Sequence, residues 1–477
     1  MRKEKTIFGF IILLLILQSC ALFNNRSGEL VGVDADTPIL TKKEILKRIP
    51  KEERYYFDNM VIIPRVSQIS HNYCNIKLTE NDTTIIRFRK DPSSFESGRL
   101  TLPSFYISDH EVTNGEYLEF VDWVINYSIR KLLAQKYPDE YYVSGTKKLK
   151  KYQYIRIEQF VLDSLFDLPT EKPLYKSYYK SLYDTIQTNK LVYEYSYFSV
   201  EFENGAPKYN WKVKRIHVYP NTLCWVKEFG SLEMSSYMSS DYLTYPAYSN
   251  YPVVGVSYEQ ALAYCDWRTN RINEAILQKA KVDIGEEYFT LDAFMEKDSL
   301  NEYEDLLLPP FSLPTIEEWQ LSAGANYIDP DYAFKNKTLF DEKGQYLANF
   351  GKIEDKNNYL LKDYGENNPK EYAYTSHVKS FPPNDYQIFD INGNVAEWTK
   401  SPLIIFDGYN NYNPYPKVEK DSSNTYMIVK GGSWADSPVY LRWRTNTFYN
   451  KDKSSARIGF RVVMPILDYF SDRQPVY

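Results

Sequence analysis

Asp390-Ile391-Asn392-Gly393-Asn394-Val395-Ala396-Glu397-Trp398 is the stretch on which the reading of this chain turns. Asn392-Gly393 makes a tight turn in which backbone carbonyls can point inward, and Glu397 lies close enough to add a carboxylate. That is an all-oxygen set suited to a hard cation such as calcium. A turn leading into a capped strand fits the same letters equally well. Downstream, Lys430-Gly431-Gly432-Ser433-Trp434 leads to Leu441-Arg442-Trp443-Arg444. The chain then reaches Arg457-Ile458-Gly459-Phe460-Arg461-Val462-Val463, whose run of apolar residues predicts a strand buried on one face.

Upstream of the turn, three helix starts carry the same device. Thr113-Asn114-Gly115-Glu116 precedes Tyr117, Phe120, Val121 and Val124, so the Thr113 hydroxyl caps the helix while Glu116 bonds back to it. Ser257-Tyr258-Glu259-Gln260 and Thr315-Ile316-Glu317-Glu318 repeat it, the last with Gly324 placed to end the helix. Such caps are structural, each contributing about 1 kcal/mol. Met60 to Pro64 and Leu100 to Ile107 read as strands, and Lys43 to Arg48 as a short helix. Between Trp123 and Tyr251 no matching box occurs, and the segment, rich in Lys and Tyr, reads as an insertion of about residues 125–248. Within it Tyr152 to Phe166 suits a helix, while Leu191 to Phe202 and Tyr209 to Val218 alternate like a hairpin.

The N-terminus has the layout of a secretory signal: Arg2, Lys3 and Lys5, an apolar run from Ile7 to Leu17, then Gln18-Ser19-Cys20. Eleven helical residues cover roughly 16 Å against a hydrocarbon core of about 30 Å, so cleavage is a better reading than a permanent span. Leu17 and Ser19 stand three and one residues before Cys20, as in bacterial lipoprotein signals, which makes Cys20 the lipidation site. One acyl chain alone anchors only reversibly, so a diacyl or triacyl Cys20 is expected. Removing residues 1–19 takes away three basic and one acidic side chain, moving the formal charge from −6 to −8. Nucleic acid is therefore an unsuitable partner. The remaining cysteines, Cys74, Cys224 and Cys265, are odd in number and too sparse for a disulfide scaffold, although one pair can form. His71, His110, His217 and His377 stand singly, without metal-ligand spacing. The 45 tyrosines are read first as codon bias and second as a binding surface.

Taken together with Glu111-Val112-Thr113-Asn114-Gly115-Glu116-Tyr117, Tyr251-Pro252-Val253-Val254-Gly255-Val256-Ser257 and Leu313-Pro314-Thr315-Ile316-Glu317-Glu318-Trp319, the downstream motifs resemble the formylglycine-generating enzyme (sulfatase-modifying factor) family. They occur in family order from about residue 55 to 465. The resemblance implies an α+β fold, irregular and related to C-type lectins, with little regular secondary structure. It divides the chain into a signal peptide (1–19), a lipidated tether (20–54), the domain (55–465) and a C-terminal tail (466–477). Active members hold copper on two cysteines five residues apart after the Gly-Gly-Ser element, and the same offsets from Ser433 fall on Asp436 and Leu441. Soft Cu(I) needs sulfur donors, so no copper and no catalysis are expected. For calcium the resemblance carries over the carbonyls of Asn392, Gly393 and Val395 with the carboxylate of Glu397. For a second calcium site it carries over Asn349 and Phe350, but Lys370 falls where the family has an aspartate.

A narrower resemblance is to the gliding-motility and type IX secretion lipoproteins of the GldK/PorK and GldJ groups. It is carried by Ser27-Gly28-Glu29-Leu30-Val31-Gly32-Val33, Leu223-Cys224-Trp225-Val226 and Trp267-Arg268-Thr269-Asn270-Arg271-Ile272-Asn273. It implies a non-catalytic lipoprotein at the periplasmic face of the outer membrane. Its partners would be a GldN/PorN-like periplasmic protein and further copies of itself in a ring. The Tyr-rich insertion is a candidate partner surface, because aromatic side chains give large contact area at low entropy cost, and a solvated loop fits it equally well. A second reading has the former substrate cleft, near Ser433, Trp434, Asp436, Trp443 and Arg444, binding glycan or peptide.

Overall fold

The computed structural model describes residues 41–63, 74–77, 85–86, 102–151, 155–156, 158–166, 185–203, 206–230, 233–295, 303–324, 332–334, 338–351, 372, 374–403 and 425–466. Cys20, the Ser27 to Val33 stretch, Lys370 and nearly all of the C-terminal tail lie outside them.

All three expected boxes close as drawn. Thr113 accepts from the Glu116 amide and the Glu116 carboxylate accepts from the Thr113 amide. The Ser257–Gln260 and Thr315–Glu318 pairs do the same. Seven helices matter here: α1 (Lys42–Arg48), α2 (Asn114–Lys136), α3 (Gln159–Leu165), α4 (Cys224–Phe229), α5 (Glu233–Asp241), α6 (Tyr258–Lys279) and α7 (Ile316–Gly324). Among the described residues no helix is long and apolar enough to cross a membrane.

Eleven strands form three sheets among the described residues. In the first, β4 (Phe105–Ser108) lies between β1 (Met60–Ile63) and β11 (Val463–Pro465), antiparallel to both. The second has the order β10-β7-β8-β9-β2-β3, from β2 (Cys74–Lys77), β3 (Ile85–Ile86), β7 (Ala396–Pro402), β8 (Tyr426–Lys430), β9 (Thr445–Asn450) and β10 (Ile458–Gly459). Its β10–β7 and β2–β9 pairs are parallel and the other pairs antiparallel. The third is a hairpin in the insertion, β5 (Val192–Glu203) with β6 (Ala206–His217), registered from Val192↔His217 to Glu203↔Ala206.

One expectation needs correction, that for residues 457–463, and the packing adds detail to three others. The main core takes in residues before 55: Ile45 and Ile49 sit one helical turn apart, are fully buried in it, and are pinned by Lys279 Nζ on the Lys47 and Ile49 carbonyls. The insertion has no break at residue 125: α2 runs through it to Lys136 and keeps burying Ile129, Leu133 and Ala134. Residues 457–463 are not one strand with a single buried face. Ile458 to Val463 are buried throughout, and the run divides into β10 in one sheet and β11 in another. Some of the tyrosines belong to the interior rather than to a surface. Tyr106, Tyr117, Tyr141 and Tyr264 are buried core residues, and Tyr117 reaches a partner for its hydroxyl at the Val218 carbonyl, 2.8 Å away.

The hairpin is rooted in that core. Tyr193 packs edge-on against Phe120 at 5.2 Å between centroids and donates its hydroxyl to Asp266 at 2.7 Å, so β5 is tied to both α2 and α6. Tyr242, buried beyond α5, likewise donates to the Pro252 carbonyl at 2.7 Å.

Candidate functional site

The 390–398 turn is an interior crossing rather than a surface loop. Asp390, Gly393 and Asn394 take positive φ (52°, 83° and 59°), and a Cβ on Gly393 would lie 2.1 Å from the Asn349 carbonyl oxygen. Only glycine fits that approach. Asn392 accepts the Ala333 amide at 2.8 Å and donates to the Leu441 carbonyl at 2.5 Å. Asn394 accepts from the amide and hydroxyl of Ser376 and donates to Glu111 at 3.1 Å. These amides stitch four separate chain segments to the turn.

Glu397 leaves the turn on β7 and is fully buried. Arg461 grips it in bidentate fashion, Nε and Nη2 each 2.7 Å from one carboxylate oxygen, and the Trp319 indole donates to Oε2 at 2.7 Å. The rest of the guanidinium donates to the Ser108 and Phe389 carbonyls. Two more buried carboxyls, Glu111 and Asp390, face the same guanidinium. Burial pushes Glu111 well above the usual carboxylate range and Asp390 up to about 7. Burial raises Asp436 as well. All three shifts have one sign: the folded state holds protons that the unfolded chain releases. The stabilisation is complete below about pH 4, where the unfolded acids are also protonated, and is lost as pH rises through the folded values. Urea midpoints are therefore expected to fall between about pH 5 and pH 8. Asp390→Asn is expected to flatten that slope, and an unchanged slope would refute this assignment.

This arrangement bears on the calcium expectation. Both oxygens of Glu397 already have donors, and Arg461 supplies the countercharge that a cation would. The Asn349 carbonyl accepts the Asn394 amide at 2.8 Å, and the Phe350 ring packs against Tyr346. Among the described residues no group of three His, Cys, Asp or Glu side chains is placed to hold a metal. As arranged, Glu397 has no free carboxylate oxygen to offer a calcium held by the Asn392, Gly393 and Val395 carbonyls. Treatment with EDTA is expected to leave the melting temperature within about 2 °C, whereas a structural metal contributes several kcal/mol and its loss would be plain.

The positions counted for copper are closed by packing. Leu441 is fully buried among Tyr332, Leu339, Phe340 and Ala348. Asp436 is buried with Oδ2 taking the Ser433 amide at 2.8 Å and the Ser433 hydroxyl at 2.6 Å. Its other oxygen lies 3.7 Å from Arg457, which is itself held by Glu228 of α4. One carboxylate and one aliphatic chain, both enclosed, do not fit Cu(I). Cys224 shares a cluster with Trp434, but burial pushes its thiol up to about 12, and the same holds for Cys265, so neither stands as a thiolate.

The residues grouped as a cleft separate in the structure. Ser433, Trp434 and Asp436 lie together, whereas Trp443 packs with Trp319 and Ile391 in another cluster and carries the Arg444 guanidinium over its ring at 4.7 Å. Trp434 is 7% exposed. Trp225 of α4 stacks on it at 6.0 Å between centroids, and the Phe229 ring lies tilted against it at 5.8 Å. Sequence reading missed this cover. Its signal was present, since two aromatics four residues apart on one helix face project together.

Residues 75–466 match the sulfatase-modifying factor enzyme 1-like domain. The formylglycine-generating enzyme of Mus musculus is 26% identical over 218 residues, 45% of this chain and 44% of that protein. The inactive C-alpha-formylglycine-generating enzyme 2 of Bos taurus is 26% identical over 217 residues, 44% of this chain and 49% of that protein. The chain thus spans about half the length of the curated relatives it matches. Among solved structures, PvdO from Pseudomonas aeruginosa superposes with a TM-score of 0.36 at 16% identity, covering 85% of this chain and 94% of that one.

Proposed function

Because this chain belongs to the sulfatase-modifying factor enzyme 1-like domain family, which includes members named as inactive, we propose that it keeps the family fold without the family's oxidase chemistry. On this reading it is a lipid-anchored structural subunit of the type IX secretion and gliding machinery. The observation that carries the non-catalytic part is the enclosed pair Asp436 and Leu441, with Trp225 and Phe229 laid over Trp434. The lipoprotein-type sequence ending at Cys20 supports an anchor at the periplasmic face of the outer membrane. The Ser27 to Val33 stretch and the large insertion support assembly with a GldN/PorN-like partner and with further copies of the chain in a ring. The alternative, glycan or peptide bound in the former cleft, is disfavoured because Ser433, Trp434 and Asp436 are already buried.

Detergent-solubilised protein analysed by size exclusion and cross-linking tests the assembly. A large hetero-oligomer is expected, and a monomer would end that reading. Cys20→Ser is expected to move the protein from the membrane fraction to the soluble fraction. Stoichiometric copper uptake with oxidation of a thiol-containing peptide would overturn the non-catalytic reading.

A further inference from the structure

The insertion carries a cavity of about 530 Å³ that lies away from the enclosed cleft. Its lining comes from α2 (Tyr127, Lys131, Leu132), from the end of α3 (Ser164, Leu165), and from Lys190 with the hairpin root (Val192, Glu194, Arg215). The volume is within the range that takes a ligand of several residues' or drug-like size.

Charge is the unusual feature. Lys131, Lys190 and Arg215 face the cavity, and Glu194 is the single carboxylate among the lining residues, in a chain whose formal charge is −6. Lys131 Nζ and Arg215 Nε approach the same oxygen of Glu194, at 3.5 and 3.2 Å. Two cations are thereby held close together on one anion, and their mutual repulsion is only partly offset. A second anion entering beside Glu194 would be attracted by both, with their positions already set. Leu132, Leu165 and Val192 give the same cavity an apolar floor. Inorganic phosphate would satisfy the cations and leave that floor uncovered.

We propose that this groove binds an acidic peptide segment of a partner protein, its carboxylates pairing with Lys131, Lys190 and Arg215 and an apolar side chain resting on Leu132, Leu165 and Val192. This rests on the proposed assembly role and names the partner chemistry and the surface that receives it.

The test uses a fluorescein-labelled peptide of alternating Glu and Leu with the full-length protein in detergent, read by anisotropy. Binding is expected to weaken at least about tenfold in the double variant K131E/R215E, and to weaken as salt rises to about 0.5 M. Both side chains are more than half exposed (53% and 73%), so the variant is expected to keep its melting temperature. Lys43→Glu, an exposed charge reversal on α1, serves as the control and is expected to bind as wild type does. Three results would overturn the proposal: no peptide binding by wild type, equal binding by K131E/R215E, or equal displacement of the peptide by inorganic phosphate. Binding of anionic vesicles in place of the peptide would assign the groove to a lipid surface and overturn it as well. If the protein assembles with its partner yet binds no peptide, the groove falls and the assembly stands. If it binds peptide but stays monomeric, the assembly reading falls and the groove stands.

Discussion

Arg461→Ala is expected to destabilise the folded protein by about 3–5 kcal/mol. The reason is asymmetry. With arginine present, the Glu397 carboxylate is bonded at both oxygens and Glu111 and Asp390 have a cation nearby. Without it, Glu397 is an uncompensated interior charge whose one remaining side-chain donor is the Trp319 indole. The Ser108 and Phe389 carbonyls lose donors at the same time, the first at the end of β4 and the second on a residue whose amide donates to the adjacent Asp109 carbonyl. Arg461→Lys is expected to recover only part of the loss, because an ammonium cannot make the planar two-point contact. Urea denaturation followed by tryptophan fluorescence measures both variants. A cost under about 1 kcal/mol for the alanine variant would show that the pair does not hold the turn.

Trp225→Ala is expected to cost about 3–5 kcal/mol and to loosen the cover over Trp434. Trp225 is among the largest fully enclosed side chains, and it contacts Phe229, Tyr242 and Trp434 at once. Its removal leaves a cavity lined by rings that cannot collapse onto one another without moving α4. Limited proteolysis is the discriminating measurement: cleavage between Thr222 and Ser249 should accelerate while the Asn114–Lys136 segment stays protected. Uniform destabilisation with no preferred cut would mean that the cover and the scaffold beneath it unfold as one unit.

Local chemistry was legible in the sequence wherever it was sufficient. Thr113, Ser257 and Thr315 each close a capping pair over four residues, so they could be read without knowing anything distant. The hairpin was legible for the same reason, its alternation being a property of consecutive residues. The site was less so. Glu397 and Arg461 are 64 residues apart, and nothing about either letter says that they meet. Reading Glu397 with its near neighbours in the chain left a cation site and a plain turn into a strand equally open, whereas the fold delivers a guanidinium from a different segment. Asp436 and Leu441 could be read as lacking the sulfur donors that copper needs, but their surroundings depend on Arg457, Glu228 and Phe340, which only the fold brings together.

The continuity of the Asn114–Lys136 helix has a mechanical consequence. Its 23 residues make a rod of about 34 Å, anchored at one end by the Thr113 cap and emerging at the other among inserted residues. With no glycine or proline along it after Gly115, the rod offers no flexible joint. Force applied to the inserted segment is carried along its axis to Tyr117 and Phe120 in the core rather than dissipated by swinging.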